Sequence, residues 1–171
     1  MKKTALVIAQ EGFRDEEYFI PKKVLEGKGV IVDTVSLKKG RAVGKLGAVA
    51  NADVSISEVD PLEYDGIFFV GGPGASVYFQ DAKAHDILRI SFANGKIIGA
   101  ICAGPAVLAY AGLLKGKRAT SFSGVRPILE QSGAVFTGKN VEVDGNIITS
   151  DGPVSAEKFG LTIAAALNSN N

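Results

Sequence analysis

The apolar positions of this chain fall into two kinds of run. Short ones, rich in β-branched residues, occupy residues 4–9, 30–35 (around Asp33), 66–70 and 96–101 (after Lys96). Their length and lack of alternation predict strands buried on both faces. Between them lie stretches with apolar residues at helical spacing. The first follows Asp15-Glu16-Glu17, carries Phe19, Ile20, Val24 and Leu25, and ends at Gly27 and Gly29. Pro21 inside it predicts a bend or a place in the first turns. A second helix is predicted over residues 82–94, with Ala84, Ile87, Leu88 and Phe92 at core spacing. Shorter helices are predicted over 106–111 and 125–131, the latter with Pro127 near its start. A final amphipathic helix carries Phe159, Ile163, Ala166 and Leu167.

Three segments break this rhythm. Residues 40–50, rich in Gly and Val, read as a hairpin, and residues 118–122 as a short strand. Residues 141–143 and 146–149 flank Asp144-Gly145, a pair expected to supply the positive φ angles of a tight hairpin turn. Alternating strands and helices predict an α/β fold with a mostly parallel sheet covered on both faces. Ligands bind such sheets at the carboxyl ends of strands. That places three features together: the segment 11–17, the Gly71-Gly72-Pro73-Gly74 loop, and Cys102. The 171 residues fit a single domain over 1–171, with a polar, frayed tail at about 168–171.

Charge narrows the partners. The formal net charge is +1, which gives no electrostatic case for nucleic acid or an anionic membrane. Lys38, Lys39, Arg41 and Lys45 form a basic run in the Gly-rich hairpin, expected to be a solvated turn. The single cysteine rules out an intramolecular disulfide. Residues 4–9 are too short for a signal-peptide core, and no run nears the roughly 20 apolar residues of a membrane helix. A reducing, cytoplasmic location is the default expectation. No His/Cys/Asp cluster has metal-ligand spacing, so neither metal nor cofactor is expected.

The candidate chemistry centres on Ala100-Ile101-Cys102-Ala103-Gly104. A strand feeding directly into a helix crowds its neighbours, so small residues must flank the nucleophile two positions away on either side. The turn lifts the side chain to the top of the sheet. It also aims the free N–H groups of the new helix at it, which favours a thiolate. The plainer reading of a lone cysteine is a small buried hydrophobe; its place at a strand end favours the reactive one. Glycines at 71, 72 and 74 let backbone N–H groups approach a ligand, as an oxyanion hole or simply as a tight turn. The Lys-Ser/Thr ending of a phosphate loop is absent. Glu17 complements the helix dipole with Asp15 and Glu16, or else serves catalysis. His85, the only histidine, is expected on the surface; pairing with Cys102 requires it to reach across from another helix.

These residues together resemble the ThiJ/PfpI superfamily, over nearly the whole chain. The resemblance rests on Ala100-Ile101-Cys102-Ala103-Gly104-Pro105, Val70-Gly71-Gly72, Glu17 with Ile20-Pro21, Asp144-Gly145-Asn146, and Thr149-Ser150-Asp151-Gly152-Pro153. It implies a flavodoxin-like three-layer sandwich of the class I glutamine amidotransferase type, assembled as a homodimer or higher homo-oligomer. It also implies Cys102 as nucleophile, Glu17 as a protonated carboxyl on the sulfur, and the backbone N–H groups of Gly72 and Ala103 as oxyanion donors. The chain departs from the family pattern at three places. Ala103 stands where the peptidase-like branch has histidine, Phe122 where the deglycase-like branch has one, and Asp151 where arginine is frequent.

Three functions are compatible with this set. Glyoxalase- or deglycase-like chemistry on small reactive carbonyls needs only Cys102, Glu17 and the amides. A non-enzymatic redox-sensing or stress-protective role needs a low-pKa thiol that oxidises to sulfinate. A PfpI-type cysteine hydrolase or peptidase needs a base, for which only His85 is available. The partners expected are a small carbonyl substrate or an oxidant. Phe13, Tyr18, Tyr78, Phe79 and Phe122 are candidate pocket walls.

Overall fold

The short apolar runs become the central strands of a sheet in a computed structural model that describes residues 1–170. The first half of the chain forms β1 (Lys3–Val7), β2 (Glu11–Phe13), α1 (Asp15–Gly27), β3 (Ile31–Ser36), β4 (Gly40–Gly44), β5 (Val49–Ala52), β6 (Val54–Ser55) and β7 (Gly66–Phe69). Then follow α2 (Ala82–Ala93), β8 (Ile97–Ile101), α3 (Pro105–Tyr110), β9 (Arg118–Ala119), α4 (Arg126–Gln131) and β10 (Val135–Phe136). The chain closes with β11 (Val141–Asp144), β12 (Ile147–Ser150) and α5 (Ala156–Ser169).

The main sheet has seven strands in the order β11-β12-β8-β7-β1-β3-β6. All its pairings are parallel except β11 with β12. Side chains alternate across it. Ala5, Val7, Ile67, Phe69, Ile98 and Ala100 meet α2, α3 and α4 through Ile87, Leu88, Val107, Leu108 and Leu129. Leu6, Ile8, Phe68, Ile101 and Ile148 meet α1 and α5 through Tyr18, Leu25, Phe159, Ile163 and Leu167. Each such fully buried side chain contributes roughly 1.5–3 kcal/mol, so both layers are needed. The result is the flavodoxin-like three-layer sandwich that the resemblance implied.

Pro21 lies within α1 and is buried. It packs against α5, where a Cβ on Gly160 would come 3.1 Å from the Pro21 Cα. The hairpin of residues 40–52 forms as predicted, β4 antiparallel to β5, and β2 joins it in a separate three-stranded sheet.

Three details differ from the sequence reading. In the β11–β12 hairpin Asp144 pairs with Ile147, so the two-residue loop is Gly145-Asn146. Of the Asp144-Gly145 pair only Gly145 has positive φ, at 58°. One glycine opening the loop suffices there. The strand predicted over 118–122 ends at Ala119, because the Thr120 N–H donates to the Thr149 hydroxyl and the Phe122 N–H to the Cys102 carbonyl. The polar character of the tail does not stop the last helix: α5 carries Asn168 and Ser169, its Leu167 held in the core. Asn171, the end of that tail, lies outside the described residues.

Candidate active site

At the carboxyl end of β8 the chain turns straight into α3, and Cys102 takes φ 63°, the one positive φ of a non-glycine residue among those described. For an L-residue that conformation is strained, and such strain persists only where the surroundings enforce it. Here the Cys102 N–H donates to the Ser150 carbonyl at 2.9 Å, and the Cys102 carbonyl accepts from Phe122 at 2.8 Å. The small flanking residue is obligatory: a Cβ on Gly104 would come 2.5 Å from the Phe69 carbonyl oxygen. The elbow read from Ala100-Ile101-Cys102-Ala103-Gly104 therefore exists as geometry.

The segments expected at this edge do converge. The Arg14 N–H donates to the Gly71 carbonyl at 3.0 Å, which ties the start of α1 to the glycine loop. Gly71 is the wedge. A Cβ there would lie 2.6 Å from Glu17 Oε1 and 2.7 Å from Cys102 Cβ, so its lack of a side chain brings carboxyl and thiol together. Glu17 is fully buried. Its Oε1 accepts from the Gly71 N–H at 3.0 Å, whereas Oε2 is buried without a partner of regular hydrogen-bond geometry.

Burial pushes the Glu17 carboxyl up to about 7, against the pull of the thiol, the Gly71 N–H and Arg14. Burial, then the charge of Glu17 and its hydrogen bond, push the Cys102 thiol up to about 12. The Ala103 and Gly72 N–H groups act on the sulfur in the opposite direction, as the elbow argument requires, but they are outweighed. The expected low-pKa thiol is thus corrected. Two negative charges cannot share this buried space, so one proton stays on the pair through neutral pH.

Cys102 and Glu17 open into a cavity of about 600 Å³ whose lining includes Arg14, Lys45, Gly72, Ala103, Phe79 and Phe122. Of the five aromatic candidates, Phe79 and Phe122 line it; Phe13, Tyr18 and Tyr78 are core residues. Lys45 belongs to the basic run read as a solvated turn. Lys38, Lys39, Arg41 and Lys45 are all exposed, as that reading expects, and Lys45 in addition lines the cavity. His85 is also corrected: it is buried, its Nε2 lies 2.8 Å from the Phe79 carbonyl oxygen, and it does not line the cavity. Among the described residues no group of three or more His, Cys, Asp or Glu is arranged to hold a metal, and no helix is long and apolar enough to cross a membrane. A second cavity of about 640 Å³ lies between α1 and α5, lined by residues such as Phe19, Ile20, Lys23 and Leu161, and has no cysteine or hydroxyl side chain in its lining.

Known proteins carry the same fold and sequence pattern. An uncharacterised protein of Methanocaldococcus jannaschii is 41% identical over 99% of this chain and 84% of its own length. A protein of Thermococcus kodakarensis named a deglycase is 34% identical over 86% of this chain and 89% of its own. The crystal structure of a ThiJ/PfpI domain protein from Brachyspira murdochii superposes with a TM-score of 0.95 at 34% identity, covering 98% of this chain and 96% of that one. Residues 2–166 match the DJ-1/PfpI family, to which this chain belongs.

Proposed function

We propose that this protein converts small reactive carbonyl compounds, α-oxoaldehydes above all, into 2-hydroxy acids through Cys102 and Glu17. The pairing itself carries the reading: a thiol on a strained elbow faces a buried carboxyl that ionises near neutral pH. A base of that pKa is matched to proton transfer at neutrality.

A thiol held up to about 12 is not ionised before substrate arrives. Its proton therefore leaves during attack. As Sγ bonds to the aldehyde carbon, Glu17 takes the thiol proton and passes it to the carbonyl oxygen, giving a hemithioacetal. The N–H groups of Gly72 and Ala103 hold the charge that develops on oxygen. Glu17 next removes the proton from the sulfur-bearing carbon and returns it to the neighbouring carbon, while the hydroxyl proton of the hemithioacetal moves to the former ketone oxygen. The former ketone becomes a hydroxyl-bearing carbon, and the sulfur-bearing carbon becomes a thioester. Water cleaves the thioester, releasing the hydroxy acid and restoring the thiol. The sum is oxoaldehyde plus water, with the oxidation of one carbon balanced by reduction of its neighbour.

The relative named a deglycase supports an enzyme of this kind. A Cys–His peptidase mechanism lacks its histidine, since His85 is bound to the Phe79 carbonyl and positions 103 and 122 hold Ala and Phe. Redox sensing needs a thiolate before the oxidant arrives, and the upward shift of the thiol works against it. Purified protein is expected to form lactate from methylglyoxal, and Cys102→Ser to lose that activity; no lactate from the wild type overturns the reading.

A further inference from the structure

The mechanism above leaves unused the two cationic side chains of the cavity, Arg14 and Lys45. Arg14 is partly committed: Glu16 takes its Nε at 2.7 Å and its Nη2 at 3.4 Å. Lys45 has no ion-pair partner among the described residues. The acidic side chain lining the cavity is Glu17, which holds its proton through part of the neutral range.

The position of Lys45 is built, not incidental. Its N–H donates to the Phe13 carbonyl at 2.8 Å, fixing the turn beside Arg14. The N–H groups of Leu46 and Ala48 donate to the two oxygens of Asp15, each at 2.9 Å. Gly44 leaves no room for a side chain, because a Cβ there would lie 2.5 Å from the Asp15 carboxyl. A buried carboxylate thus holds the turn whose lysine lines the same cavity as the thiol, although its desolvation is costly. Lys45, Leu46 and Gly47 are themselves exposed, so the turn is fixed through its backbone.

We propose that the site selects α-oxoaldehydes that carry a carboxylate, which Lys45 and the free edge of Arg14 hold while Cys102 attacks the aldehyde carbon. A singly charged group fits better than a phosphate dianion, because Glu16 already balances Arg14 and about one positive charge is left over. This deepens the carbonyl reading and rests on it.

Alkylation of Cys102 tests the charge selection without relying on turnover. Iodoacetate carries a carboxylate and iodoacetamide does not, and the ratio of their rates cancels the acidity of the thiol. Relative to glutathione, Cys102 is expected to favour iodoacetate about tenfold, as a focused positive field raises encounter with an anion. The preference is expected to shrink with added salt. Lys45→Met is expected to bring the ratio to that of glutathione and Lys45→Arg to restore it. Lys38→Met, which removes the same charge from the same basic run outside the cavity, is expected to leave the ratio alone. In turnover, 4,5-dioxopentanoate, a carboxylate-bearing oxoaldehyde, is expected to exceed methylglyoxal about tenfold in kcat/KM. An iodoacetate ratio equal to that of glutathione, or no reaction with iodoacetate, overturns the proposal even where methylglyoxal is turned over. A clear iodoacetate preference with neither oxoaldehyde turned over keeps the anion site and removes the carbonyl reading instead.

Discussion

Asp15 and Glu17 stand two residues apart at the start of α1, both buried, and their carboxyls are driven in opposite directions. Burial raises both. On the side facing the β4–β5 turn, Asp15 also meets the N–H groups of Leu46 and Ala48, and these bring it below its ordinary value. On the side facing the glycine loop, Glu17 meets one N–H and a thiol, too little to offset burial, and it rises to about 7. One helical turn thus makes an anchor and a proton carrier from nearly the same group. Depth and donors act together: Glu17 has no exposed surface and one N–H, whereas Asp15 keeps some contact with solvent and takes two turn N–H groups.

The comparison can be broken at either end. The largest effect is expected from Cys102→Ser, which leaves the carboxyl without its nucleophile; turnover should fall at least about 1,000-fold. Glu17→Gln keeps the acceptor for Gly71 N–H but cannot carry a proton, so turnover should fall roughly 100- to 1,000-fold. The same variant should be the more stable protein at pH 8. A carboxyl whose folded pKa lies above its unfolded value of 4.5 stabilises the fold fully below 4.5 and ceases to as pH rises through about 7. Removing that ionisation recovers about 3 kcal/mol at pH 8 and little at pH 5, readable as a change in denaturant midpoint.

Asp15 has the reverse slope. Its stability is present above its ordinary value of 3.8 and is lost as pH falls through the lower folded value. Asp15→Ala should cost about 2 kcal/mol and speed hydrogen exchange at the Leu46 and Ala48 amides. The mildest effect is on the wild type: because the base must be ionised, turnover should rise about tenfold between pH 6 and 8, and this limb should be absent in Glu17→Gln.

The elbow was legible in the sequence because its demands are local: a strand, a nucleophile, and small residues at fixed offsets. The centre of the sheet was legible for the same reason, β1, β7 and β8 being short runs of mostly apolar residues. The electrostatics were not. That the thiol rises depends on Glu17 arriving from another element through the gap at Gly71. Lys45 was missed because its side chain reaches the cavity only when the hairpin folds back on α1, through bonds made by Asp15 and Phe13. The signal was present in Gly44-Lys45-Leu46-Gly47, a lysine framed by glycines, but that pattern equally describes an ordinary exposed turn. His85 looked exposed because nothing in the sequence pairs it, lying between Ala84 and Asp86. It is buried with its ring against a carbonyl six residues earlier, a contact that no periodicity reveals.

Carboxyl carbon-13 NMR titration of the folded protein tests the central claim most directly, since it reads the proton on Glu17 itself. The account predicts a Glu17 midpoint near 7 and an Asp15 midpoint below 3.8 in the same sample. A Glu17 carboxyl that titrates near its ordinary 4.5 would contradict it.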